Sequence, residues 1–65
     1  MLGDQQSNFW RVAVVEDHRL QRLRTIELFN AQDGMRVVVA SETFPQFLAW
    51  LAATGPQERP HLLVL

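Results

Sequence analysis

The sequence predicts a small α/β fold in which three parallel strands alternate with two helices. Three short aliphatic runs, at 12–15, 37–40 and 61–65, each have the length of one strand. The two segments between them are longer and have helical composition or helical periodicity. Alternation of this kind is typical of parallel strands joined by right-handed helical crossovers. The predicted order is therefore β-α-β-α-β.

Composition limits the chain to one small domain of marginal stability. It has 65 residues, 48% of them hydrophobic, and a formal net charge of −1. A chain of this size buries only about 60% of its unfolded surface, so disulfides, a metal or oligomerisation usually help it to fold. Cysteine is absent, which excludes disulfides and cysteine-based zinc sites. The near-neutral charge gives no electrostatic reason to expect nucleic-acid binding by this segment.

The sequence gives no sign of a membrane or an export pathway. No apolar run approaches the roughly 20 residues that a transmembrane helix needs. The first six residues are polar and acidic, unlike a secretory signal. We therefore expect a cytoplasmic protein without a membrane partner.

The first predicted strand and helix follow a polar N-terminal arm at 1–10. The run 12–15 is apolar at every position, which favours a strand covered on both faces. It ends at the acidic pair Glu16-Asp17. Residues 18 to about 31 contain no Gly or Pro and predict a helix. Asp33-Gly34 is expected to end it, with Gly34 in the left-handed conformation.

The second half of the chain predicts another strand, helix and strand. Residues 37–40 form the second apolar run, and 41–43 offer helix N-cap candidates ahead of Pro45 in the first turn. Gly55-Pro56 is expected to end this helix, and 61–65 is the third strand. The helix itself has a periodic apolar stripe at i, i+3, i+4 and i+7: Phe44, Phe47, Leu48 and Leu51.

Glu16 and Asp17 carry the strongest chemical signal in the sequence. In open α/β sheets, ligands bind beyond the carboxyl ends of the strands, where the strand order reverses. Two adjacent carboxylates there repel each other unless a cation relieves them. Mg²⁺ takes oxygen ligands and is commonly held by one or two carboxylates plus phosphate oxygens. The alternative is that Asp17 only caps the helix, while Glu16 lies in solvent and stabilises the helix dipole.

The residues Val-Val-Glu-Asp-His at 14–18, which close a strand and open a helix, resemble the start of response-regulator receiver domains. The similarity continues through 20–22, the second valine run and Pro-His-Leu-Leu-Val-Leu at 60–65. It covers 11–65 and corresponds to the first half of a receiver. The resemblance implies a flavodoxin-like strand order, 2-1-3-4-5. In the family an aspartate that accepts phosphate follows the third strand at once, so the chain is expected to end just before it.

The resemblance also implies roles and partners. Asp17 would bind Mg²⁺ directly and Glu16 through a water molecule, weakly in this chain and firmly in a complete domain. No other residue of the family's active site can be transferred. The implied function is the receiver part of a phosphorelay, without enzymatic activity of its own. Its implied partners are a sensor histidine kinase, a second copy in a homodimer and, through a LuxR-type effector domain outside this chain, DNA.

Two other functions stay open: a receiver-like interaction module without phosphotransfer, and a fragment of a Mg²⁺-dependent hydrolase. The remaining polar and aromatic candidates receive structural interpretations. We expect a solvated helix face at Arg22 and Arg24, a helix start at His18, and packing roles for His61, Trp10 before the first strand, and Trp50 beside the apolar stripe. Because the third strand has an unpaired edge, we also expect that the chain is not a stable monomer.

Overall fold

The computed structural model describes residues 9–65, which form a three-stranded sheet and two α-helices. Both strand pairings are parallel and the strand order is β2-β1-β3, so the predicted β-α-β-α-β arrangement is confirmed. Residues 1–8 of the expected N-terminal arm lie outside the described residues, and Trp10 already belongs to the first strand. The elements are β1 (Trp10–Val15), α1 (Arg19–Asn30), β2 (Met35–Ser41), α2 (Phe44–Ala52), a 3-10 turn (Pro56–Glu58) and β3 (Leu62–Val64).

The centre of the sheet is the core of the molecule. Val12 and Ala13 of β1 are 0% exposed and Val14 is 1% exposed, because β2 and β3 flank this strand and helices cover its faces. The chain moves from β1 to β2 on one side and then back across to β3. Right-handed crossovers therefore place α1 and α2 on opposite faces. The fully apolar run at 12–15 correctly predicted a strand covered on both faces.

α1 packs loosely. It contacts β1 and β2 but has no fully buried residue, and Leu20, Leu23 and Leu28 are all exposed. The irregular apolar pattern of this segment agrees with a wide and partly exposed face. The helix ends at Asn30, before the Asp33-Gly34 pair that was expected to end it.

Gly34 is left-handed as predicted, but it lies in the turn before β2 and does not cap the helix. Its φ is 80°, and Ala31 is the helix C-cap in a right-handed conformation. The Gly34 carbonyl accepts a hydrogen bond of 2.6 Å from the Trp10 amide. This glycine therefore sets the turn that aligns β2 with β1.

α2 begins with a complete capping box. The Thr43 hydroxyl accepts a hydrogen bond from the Gln46 amide at 3.3 Å, and the Gln46 side-chain oxygen accepts from the Thr43 amide at 3.4 Å. Pro45 lies in the first turn, as predicted. Of the apolar stripe, Phe47 is buried, whereas Phe44 and Leu48 are nearly half exposed. One aromatic side chain thus anchors this helix on the sheet.

β3 is the least covered strand. It pairs with β1 through Val12–Leu62 and Val14–Val64, and its other edge has no strand beside it among the described residues. Leu62 and Leu63 are 40% and 39% exposed. The sheet therefore has one buried central strand between two edge strands, of which β3 is the more exposed.

Candidate metal centre

The acidic pair lies at the carboxyl edge of the sheet, between β1 and α1. The Glu16 amide donates a 3.0 Å hydrogen bond to the carbonyl of Ser41, the last residue of β2. Ser41 is buried. The ladder between β1 and β2 thus continues one residue past β1, which ties the backbone of Glu16 to the sheet.

Glu16 is the better shielded of the two carboxylates. Its side chain is 25% exposed, against 76% for Asp17. The Glu16 Oε2 atom accepts a 3.1 Å hydrogen bond from the His18 amide and lies 3.1 Å from His18 Nδ1. A carboxylate that accepts from an amide at a helix N-terminus stabilises the helix dipole. Glu16 thus lies beside the N-terminus of α1, as the alternative interpretation expects, but it is only partly solvated.

Asp17 does not cap the helix, so the capping role weighed for it is wrong. The N-cap is His18, whose side chain makes no capping hydrogen bond. The Asp17 Oδ1 atom instead lies 3.1 Å from His18 Nδ1 in open solvent. The carboxylate of Asp17 is therefore left accessible to a ligand.

His18 starts the helix as predicted and also brings the two carboxylates together. Its Nδ1 atom is 3.1 Å from an oxygen of each. The three potential ligand atoms of Glu16, Asp17 and His18 all lie within 4.8 Å of one another. This convergence was not predicted from the sequence, although three adjacent polar side chains at a strand end are its visible signal.

Arg22 supports the loop from α1, a role that the sequence interpretation missed. Its Nη1 atom donates a 2.9 Å hydrogen bond to the Glu16 carbonyl, and the contact is partly buried. Side chains on a helix lean toward its N-terminus, so a cation one turn into α1 can reach back to the preceding loop. The expected solvated face holds for the exposed Arg24 but not for Arg22.

The donor set fits Mg²⁺ in part. Two carboxylate oxygens near one point are the kind of ligand that Mg²⁺ prefers, and water can occupy the remaining positions. The imidazole nitrogen between them suits transition metals better than Mg²⁺. Glu16 and Asp17 are thus the residues that would hold Mg²⁺, with His18 hydrogen-bonded to Glu16 and close to Asp17.

The end of β3 lies beside this cluster. Val64 pairs with Val14 in parallel register, so Leu65 is level with Val15 and the next position along the chain would be level with Glu16. A residue at that position would stand on the strand adjacent to the acidic pair. The carboxyl end of β3 therefore reaches the same end of the sheet as the acidic pair.

Two of the remaining candidates, Trp10 and His61, lie at the opposite end of the sheet, where β1 begins. The His61 amide donates to the Arg11 carbonyl at 2.8 Å, and His61 Nδ1 accepts from the Arg11 amide at 3.0 Å. The Trp10 ring packs edge-on against the imidazole, with centroids 5.1 Å apart. His61 thus extends the pairing of β1 with β3 and has the structural role predicted for it. Trp10 contacts the imidazole but is 59% exposed, so its predicted packing role is met only in part.

Comparison of the chain with models of protein families, with curated proteins and with solved structures gave no match. Within residues 9–65, neither helix has the length and the apolar character needed to cross a bilayer. What the chain can do is therefore inferred from its own geometry.

Proposed function

We propose that residues 11–65 are the first half of a flavodoxin-like receiver domain of a response regulator, which accepts phosphate from a sensor histidine kinase. The observation that carries the proposal is the acidic pair at the carboxyl end of the central strand. The strand order reverses between β1 and β3, where ligands bind in open α/β sheets.

The two carboxylates differ in a way that supports separate roles. The exposed Asp17 has an accessible oxygen and would bind Mg²⁺ directly. Glu16 already accepts from two nitrogen atoms of His18, which favours contact with the metal through water. Bound Mg²⁺ would neutralise the oxygens of the transferred phosphoryl group.

The proposal requires a phosphoacceptor aspartate at the position after Leu65. The register of β3 against β1 makes that position level with Glu16. An aspartate there would face the crevice between the two strands and complete the oxygen set. His18 and Arg22 would act as positioning residues, since they contact the side chain and the carbonyl of Glu16.

The remaining partners follow from the same proposal. The phosphate donor is a sensor histidine kinase, and the output is transcriptional, through a DNA-binding effector domain outside this chain. In a complete domain of order 2-1-3-4-5, the fourth strand would cover the open edge of β3, where Leu62 and Leu63 are exposed. A second copy of the chain would cover this edge in the half-domain alone. This contact would serve a receiver-like interaction module equally well.

Labelling by acetyl phosphate tests the proposal on the complete encoded protein. We expect Mg²⁺-dependent phosphorylation that falls in Asp17→Asn to the level measured without Mg²⁺. Asp33→Asn is the matched control because Asp33 lies in the exposed turn before β2. Full labelling of Asp17→Asn would defeat the role of Asp17. A wild-type protein that takes no phosphate would favour the interaction module.

A further inference from the structure

A second candidate site lies at the opposite end of the sheet from the acidic pair. An open cavity of about 440 Å³ is formed by the first residues of β1 and β2 and the last residues of α2. Its volume is within the range of small-molecule sites, about 300–1,000 Å³. The cavity walls contain two cations, two aromatic rings and one carboxylate: Arg11, Arg36, Phe9, Trp50 and Glu58.

The two arginines form a like-charge pair on the sheet. Arg11 and Arg36 are direct partners in the parallel register of β1 and β2, and both line the cavity. Like charges directly opposite each other destabilise a sheet. Among residues 9–65, no arginine has a carboxylate oxygen within the 4.0 Å of an ion pair. Both arginines line the cavity, so an anion bound in it would reduce the repulsion between their charges.

Both guanidinium groups are held in place. The Arg36 guanidinium lies over the Phe9 ring, 4.5 Å from its centroid, and stacking of this kind leaves the N–H groups at its edge free. Arg11 Nε donates to the Arg59 carbonyl at 2.8 Å. Arg11 Nη2 also lies 3.5 Å from His61 Nε2, so two contacts position the Arg11 guanidinium.

The remaining lining residues indicate the chemistry of the rest of the ligand. Trp50 offers an indole surface, and Val38 and Ala53 add apolar area. The Glu58 carboxylate is on the rim, with Oε1 3.6 Å from the point that a Cβ on Gly55 would occupy. The cavity thus keeps an excess of one positive charge beside aromatic walls.

We propose that this cavity binds a small aromatic oxyanion, a planar ring that carries a carboxylate or phosphate group. The oxyanion would lie between Arg11 and Arg36, with the ring against Trp50. Carboxylate and phosphate oxygens both suit the bidentate geometry of arginine. The site is independent of the acidic pair, which lies at the carboxyl ends of the strands.

Chemical-shift titration of the full chain with benzoate tests this proposal. We expect shifts of the Trp50 indole and of amides around Arg36. Arg36→Gln should weaken binding about tenfold or more, since it removes a charge-assisted hydrogen-bond donor. Arg36→Lys should retain part of the affinity and also guards against loss of folding in the glutamine variant. Arg24→Gln, on the exposed face of α1, should bind as the wild type does.

Two further ligands test separately the contributions of the negative charge and of the aromatic ring to binding. Neutral benzamide should bind much more weakly than benzoate, and cyclohexanecarboxylate should bind more weakly because it cannot stack. Equal binding of benzoate and benzamide, or of benzoate and cyclohexanecarboxylate, would overturn the proposed ligand class. Wild-type affinity of a folded Arg36→Gln variant, or absence of benzoate shifts at the cavity, would overturn the site.

Discussion

Gly34 and Gly55 differ in whether the backbone angle φ requires glycine at the position. Gly34 has a φ of 80°, where any side chain with a Cβ is strained, although no atom lies within 4 Å of the Cβ position. Gly55 has an ordinary φ of −67°, and an added Cβ would make a normal contact at 3.6 Å. A Cβ has room at both positions, so the two glycines differ only in backbone conformation.

We predict that Gly34→Ala destabilises the chain by about 1 kcal/mol and that Gly55→Ala changes stability by less than about 0.5 kcal/mol or raises it. Gly34→Asn should recover part of the loss because asparagine tolerates the left-handed region. Urea denaturation of the variants measures the differences in the free energy of unfolding. Equal effects of the two alanine substitutions would show that the φ of Gly34 does not control the turn.

For individual residues of the candidate site, the sequence predicted the acidic pair but not the hydrogen bonds around it. Adjacent carboxylates after an apolar strand are visible in the chain, and so is their place at a strand end. The capping assignment of Asp17 was wrong because Glu16, one residue earlier, accepts from the amide of His18. That outcome depends on the side-chain torsions in the loop, which no pattern of residue types specifies.

At the scale of elements, the quality of each prediction follows the strength of the local signal. β1 is buried on both faces, as its uniform run of Val and Ala indicates. α2 has both a capping box and a periodic stripe, and its start at Phe44 was predicted closely. α1 has neither signal; its end at Asn30 agrees with the boundary predicted near residue 31, but Gly34 does not form its cap. The Arg11–Arg36 pairing depends on strand register, which the sequence alone does not define.

The open edge of β3 leads to a prediction about association. An aliphatic edge strand with free backbone groups is a template for pairing with another chain. We expect the chain to form a dimer through this edge, with a melting temperature that rises with protein concentration. Sedimentation velocity and thermal unfolding over a range of concentrations measure both properties. A monomer that melts cooperatively at one temperature, whatever its concentration, would contradict the prediction.

One substitution locates the dimer contact. In a twofold-symmetric dimer formed through β3, the substitution Leu62→Lys places two positive charges at the same contact, one from each copy. Their repulsion should raise the dissociation constant of the dimer about tenfold or more. Leu48→Lys on α2 is the control, because Leu48 is similarly exposed and lies away from β3. Equal effects of the two lysines would place the contact elsewhere.

At the scale of the whole molecule, the two ends of the sheet have different chemistry. The carboxyl ends of the strands carry the acidic pair, and the amino ends carry the paired arginines. Parallel strands produce this separation, because all their carboxyl ends meet at one edge. The sequence reasoning recognised the acidic end, whose residues are adjacent in the chain. It missed the basic end, whose residues come from separate strands.

A Mg²⁺ titration of the chain, followed residue by residue through amide chemical shifts, tests whether Glu16 and Asp17 form a metal site. Two carboxylates without a third protein ligand should bind Mg²⁺ only in the millimolar range, with shifts confined to Glu16, Asp17, His18 and their neighbours. The shifts should vanish in Asp17→Asn and persist in Asp33→Asn. Tight stoichiometric binding, or shifts at the acidic pair that are absent or unaffected by Asp17→Asn, would contradict the account.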